Sequence, residues 1–123
     1  MQNIVLVGIG GAIGAIARYS IDKVTITYID SSVAGTFAVN ISGSFLLGLL
    51  TGMASAHSNW PVEIRIFIGI GVLGSYTTFS TLSVATIQLA QRGEVSNAVI
   101  NLVASIVVGL AAAIAGIMLS KLI

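Results

Sequence analysis

Four apolar runs, at residues 4–21, 33–56, 64–89 and 95–119, fill nearly the whole sequence. Each is about as long as a membrane-spanning helix, which needs roughly 20 mostly apolar residues. Charged side chains make up only 7% of the chain, five Lys and Arg plus four Asp and Glu. Soluble domains carry about 25%, and so few charges cannot cover a water-facing surface. The bilayer is therefore the expected solvent, and one four-helix transmembrane domain over residues 1–123 is the expected organisation. A membrane β-barrel would read as alternating segments of about 10 residues. Runs such as "LLGLL" do not alternate, and eight strands would not fit.

Three polar stretches separate the runs: "DKVTITYIDSS", "HSNWPVEIR" and "QRGE". Trp60, Tyr19 and Tyr28 fall near the expected span ends, where amphipathic rings anchor at the interface. The N-terminal "MQNIV" has no basic n-region and Arg18 interrupts the far end of its run, so no signal peptide is expected. Four spans put both termini on one side, with Arg65 and Lys121. Lys23 and Arg92 lie on the other side, with Arg18 near a span end. The Lys/Arg difference that sets orientation is thus almost nil, and insertion both ways round is an open expectation beside a single orientation.

Several chemistries lack their parts. The chain has no cysteine, and its one histidine, His57, sits in the second loop. Its net charge of +1 offers no basic patch for nucleic acid. Asp22, Asp30, Glu63 and Glu94 are all expected in loops or at span ends. The "GIGGAIG" run displaces the third glycine of a dinucleotide fingerprint to Gly14, and no strand precedes it. No catalytic set emerges, so an enzyme is not expected. Gly10–Gly14, Gly48–Gly52 and Ser105–Gly109 have the four-residue spacing that lets membrane helices approach closely.

What remains is uncharged polarity inside the spans: Asn40, Ser42 and Ser44 in the second, Asn101 and Ser105 in the fourth. The densest strip is "GSYTTFSTLS", residues 74–83, with seven side-chain hydroxyls in ten residues. A polar group in hydrocarbon must find a partner or line a wet cavity. Single hydroxyls serve as interhelical bonds, but seven together exceed that need. Hydroxyls and an amide donate hydrogen bonds without negative charge, which suits an anion and not a polyvalent cation. The spacing of Thr77, Ser80 and Thr81 places them on one side of a helix. Phe79 can offer the positive edge of its ring. Gly74 and the β-branched pair after it favour a helix break, which would free backbone carbonyls. A bundle this small has no room for a water-filled path, so any pathway is expected between subunits, most simply in a dimer.

The segments "GGAIGAIARY" (10–19), "GTFAVNISGSFLLG" (35–48) and "GSYTTFSTLS" (74–83) together resemble the Fluc family of bacterial fluoride channels, and the likeness covers the whole chain. The resemblance implies an antiparallel, dual-topology homodimer in the bacterial inner membrane, with two fluoride pores and one sodium ion at its centre. It implies that Asn40 and Phe79 line the pore, with Ser80, Thr81 and Ser83 as a hydroxyl track, and adds Ser105 and Arg18 to the set. It assigns the sodium to the carbonyls of Gly74 and Thr77. Two departures stand out. Leu82 replaces the second phenylalanine of the family's usual TTFSTFS, and Gly109 replaces a frequent serine facing the aqueous vestibule. Ser75 and Tyr76 also replace the usual Gly and an apolar residue. The alternatives are a small proton-coupled multidrug transporter, which needs a carboxylate within a span, and a structural membrane subunit, which needs no hydroxyl strip.

Overall fold

The computed structural model describes residues 1–123 and is all-helical, with four helices long and apolar enough to cross a membrane: Gln2–Ile29, Ser32–Ala56, Val62–Gln91 and Val95–Ser120. The second and fourth spans begin and end within one residue of the expected bounds. The first does not. "DKVTITYI" was expected in a loop, yet it continues the helix, giving 28 residues and a length of about 42 Å. Nothing in that stretch stops a helix, and its threonines bond to their own helix, Thr25 to Ile21 O and Asp22 O, Thr27 to Lys23 O. The stop comes at Asp30, a left-handed residue with φ 56° whose N–H reaches Ile26 O at 3.1 Å. Ser31 then caps the second span by accepting from Ala34 N at 3.1 Å. The first connection is therefore only Asp30 and Ser31. Asp22 and Lys23 ride on a helix rather than in a loop.

The interior is small and polar, and the large apolar side chains face outward. Val39, Leu73, Leu82 and Ala98 are the buried apolar residues, whereas Thr25, Thr36, Thr78, Asn101, Ser105 and Ser120 are buried polar ones. Such an inversion suits a chain solvated by lipid, where close packing of small residues and interhelical hydrogen bonds replace the hydrophobic effect. The second span packs most extensively on the fourth, and the first on the N-terminal half of the third. Both seams use glycine. A Cβ on Gly10 would stand 2.6 Å from Phe67 O and 3.0 Å from Gly71 Cα, and one on Gly48 would overlap Ala113 O. Gly109, four residues from Ser105, makes no such approach; its nearest neighbours to an added Cβ are Ile41 Cδ1 at 3.7 Å and Ser44 Oγ at 3.8 Å.

The third span changes character along its length. Residues 65–73 are wound as a π-helix, with Gly74 N bonding back to Gly69 O. A short α-turn, Gly74–Tyr76, follows, and the helix resumes as Phe79–Gln91. The N-terminal half packs on the first span, and the C-terminal half packs on the fourth. The exchange of partners happens at Thr77 and Thr78.

Candidate functional site

Thr77 (φ −84°, ψ 156°) and Thr78 (φ −153°, ψ 115°) are extended, so the helix expected to break does so at this pair. The freed backbone is completed by a side chain from the second span. Asn40 Oδ1 accepts from Thr78 N at 2.8 Å, and Asn40 Nδ2 donates to Thr78 O at 3.0 Å. The amide thereby stands in for a peptide unit of a neighbouring strand. Thr78 also caps the helix it starts, its Oγ1 accepting from Thr81 N at 3.2 Å. These bonds have a consequence upstream. Thr78 N–H would ordinarily donate to Gly74 O four residues back, and Thr81 N–H to Thr77 O. Both donors are taken, so the carbonyls of Gly74 and Thr77 lose their helical partners.

Beside the break lies a cleft of about 280 Å³, lined on its polar wall by Asn40, Ser44, Thr77, Thr78 and Ser105 and otherwise by apolar groups that include Phe79 and Leu82. Ser105 is 7% exposed and its Oγ is buried without a hydrogen-bond partner. Leaving such a group unpaired costs on the order of 1–3 kcal/mol, and a ligand in the cleft would relieve it once the hydroxyl, itself out of water's reach, turned toward that wall. Asn40 Nδ2 carries a second hydrogen beyond the one given to Thr78. Phe79 also lines the cleft and is 76% exposed. No lining residue carries a charge.

The structure brings together Asn40, Phe79, Ser105 and Thr77, and leaves the other expected residues apart. Ser80 and Thr81 are exposed, and neither lines the cleft. The one-sided arrangement of Thr77, Ser80 and Thr81 does not occur, because helical spacing cannot be counted across two extended residues. Instead Ser80 Oγ and Thr81 Oγ1 gather around Thr78 Oγ1, at 3.2 and 3.1 Å. Ser83 donates to Phe79 O at 2.9 Å and lines a separate groove with Ile87 and Gln88. Arg18 is half-buried on the first span, outside the cleft. Leu82, which stands where the family usually has its second phenylalanine, lines the cleft and is also a core residue, 5% exposed.

Four residues of the polar inventory take roles that the sequence does not assign them. Thr78 is the pivot of the break, and a threonine ahead of "FSTL" is an N-cap signal. Tyr76 OH pairs with Ser42 Oγ at 2.9 Å, and Ser75 Oγ donates to Gly11 O at 2.9 Å. The two residues that depart from the usual pattern thus tie the third span to the second and the first. Asn101 Nδ2 donates to Thr86 Oγ1 at 3.1 Å, closing the fourth span on the C-terminal half of the third. No local signal announces these pairings.

A family profile described as "CrcB-like protein, Camphor Resistance (CrcB)" matches residues 5–117. The chain is similar to a protein of Agrobacterium fabrum named fluoride-specific ion channel FluC, 41% identical over 122 residues and 98% of each chain. A protein of the same name from Shewanella halifaxensis is 42% identical over 107 residues, 86% of each. Another, from Magnetococcus marinus, is 36% identical over 123 residues, 99% of this chain and 100% of its own.

Proposed function

The chain belongs to the CrcB-like family, and from that premise we propose that this multi-pass inner-membrane protein is a fluoride-selective channel, not an enzyme, exporting cytoplasmic fluoride passively through two pores of an antiparallel homodimer. The observation that carries the reading is the uncharged cleft at the break, with its unpartnered Ser105 hydroxyl, the spare Asn40 N–H and the exposed Phe79 ring. Neutral donors can replace water around a small anion. A fixed positive charge there would hold the ion too tightly for turnover. Membrane potential supplies the drive, about 2.3 kcal/mol per charge per 100 mV.

Partnership with a second copy is supported by what the single chain leaves open. Gly74, Phe79, Ser80 and Thr81 are exposed around the midpoint of the Val62–Gln91 span. Hydroxyls and backbone at mid-bilayer depth cannot face lipid without cost, so a protein surface must cover them. The near-equal Lys/Arg count on the two sides fits a partner inserted the other way up. A sodium ion at the centre fits the same place, since the carbonyls of Gly74 and Thr77 have lost their helical donors and no carboxylate is near. Bound there, the ion would supply the positive charge that these carbonyl dipoles lack.

The test is efflux from vesicles holding the purified protein, loaded with fluoride or with chloride. Fluoride should leave and chloride should stay. Ser105→Ala, which removes the orphan donor, should slow fluoride by about tenfold or more, as one lost hydrogen bond to a charged species is worth about 1.5–3 kcal/mol. Failure of the wild type to pass fluoride above empty vesicles would end the reading.

A further inference from the structure

The openings on this chain share walls. Leu47 lines the central cleft and also a larger one of about 530 Å³ beside it. Thr51 and Ser55 line that second cleft and also a third, of about 440 Å³, near the C-terminus. On the second span, Asn40, Ser44, Thr51 and Ser55 are spaced four, seven and four residues apart. At 100° per residue they fall within an arc of about 60°, so one helix face carries polarity from the central cleft to the end of the span.

Two cations stand at the outer end of this face, Arg65 on the wall of the second cleft and Lys121 on that of the third. Arg65 is exposed. Glu63 is two residues away, and residues so spaced on a helix do not face each other. His57 and both chain termini belong to the same end, and the terminal amine and carboxylate offset each other, which leaves Arg65 and Lys121 against Glu63. Thr51 and Ser55 give their hydrogens to Leu47 O at 2.7 Å and Thr51 O at 2.9 Å. They make the passage polar without gripping an anion, so attraction there falls to the cations.

We infer that the outer end of the second span, walled by Arg65, is an electropositive mouth through which fluoride reaches the central cleft; this rests on the channel reading. Thirteen residues separate Arg65 from Thr78, about 20 Å of helix. That is inside the Debye length of about 30 Å at 0.01 M salt and well outside that of about 3 Å at 1 M. The mouth therefore acts by raising the local anion concentration, and salt removes its effect. Two antiparallel copies would present one such mouth to each side of the membrane.

The experiment measures initial fluoride efflux from phosphatidylcholine vesicles, whose lipid is neutral, at about 10 mM and about 1 M salt. At low salt Arg65→Gln should slow efflux about three-fold and Arg65→Glu more; one exposed cation falls below the 10–10³ range that whole focused fields reach. Arg65→Lys should match the wild type, and at high salt all four proteins should converge. Equal low-salt rates for wild type and a well-folded Arg65→Gln dimer would overturn the mouth while leaving the channel intact. So would a defect in Arg65→Lys, or one that survives high salt, because either makes Arg65 a packing residue. A wild type that passes no fluoride would instead remove the channel reading beneath it.

Discussion

The two halves of the third span solve one problem in opposite ways. Residues 62–73 satisfy their backbone internally, through α- and π-type bonds, and dock on the first span by glycine at near-contact distance. Phe79–Gln91 starts from an opened backbone that Asn40 and Thr78 must complete with side chains. A self-satisfied helix needs only small neighbours. An opened one needs donors and acceptors placed at particular atoms, and spare ones are then available to a ligand. Chemistry sits at the junction because that is where the backbone stops supplying its own partners.

Steric damage to the first half should have the largest effect. A Cβ at Gly14 would overlap Val72 O and Ser75 Oγ, whereas one at Gly8 meets nothing within 4 Å. Gly14→Val should abolish recovery of folded protein, since backbone cannot move aside as a side chain can, and overpacking of even adaptable cores costs about 1–3 kcal/mol. Gly8→Val should elute and melt like the wild type. Equal behaviour of the two would mean that the seam is not built on close approach.

Next come two substitutions that separate the structural from the conducting role of the second half. Asn40→Ala unpairs the N–H and the C=O of Thr78, each worth about 1–3 kcal/mol when buried, so melting temperature and flux should fall together, flux by more than about tenfold. Phe79→Ala removes a ring that is 76% exposed in the single chain. It should cut flux by a similar factor while leaving the fold of the chain intact. Unchanged flux in well-folded dimers of both variants would make the strip interhelical packing and move the pathway elsewhere.

Gly74 tests the junction from the partner's side. Its backbone is ordinary helix (φ −63°, ψ −35°), and an added Cβ would approach only Gly69 O, at 3.6 Å. Within one chain a side chain is tolerated there. Gly74→Val should therefore spare helicity and yet shift the protein from dimer to monomer in size-exclusion chromatography, with sodium no longer protecting it against heating. Ser75→Ala, losing one bond to Gly11 O, should do much less. A dimeric, sodium-responsive Gly74→Val would place the centre of the assembly away from this residue.

Span number and most boundaries were legible because hydropathy alone decides them in a bilayer. The first span runs on to Ile29, past the charges at Asp22 and Lys23 that mark a loop in the sequence. Yet a helix stops for a backbone reason, and none occurs before Asp30. Glycine seams could be read from spacing at Gly10–Gly14 and Gly48–Gly52, but not at Ser105–Gly109, since spacing does not say which face meets a neighbour. The break was legible in composition. Its consequences were not: Asn40 lies 38 residues from Thr78, and only the packing of the second span on the third tells which atoms its amide completes. The dispersal of Ser80, Thr81 and Ser83 follows from the same break, which resets the helical phase.

The smallest effect is expected where the cleft wall is bare. Gly109 lies beside Ser44, which lines the cleft, and a Cβ there would make only ordinary contacts, 3.7 Å to Ile41 Cδ1 and 3.8 Å to Ser44 Oγ. Gly109→Ser adds a donor without displacing anything, and serine in a helix interior is no worse than glycine. Melting temperature should hold or rise slightly. Fluoride flux should change by no more than about two-fold, less than half a kcal/mol, because the wall is wide and water competes for the hydroxyl. The direction is upward if dehydration of the ion at this end of the cleft limits passage. A fall of tenfold would show that Gly109 is a contact point in the assembled dimer, with a partner surface filling the space that the single chain leaves open.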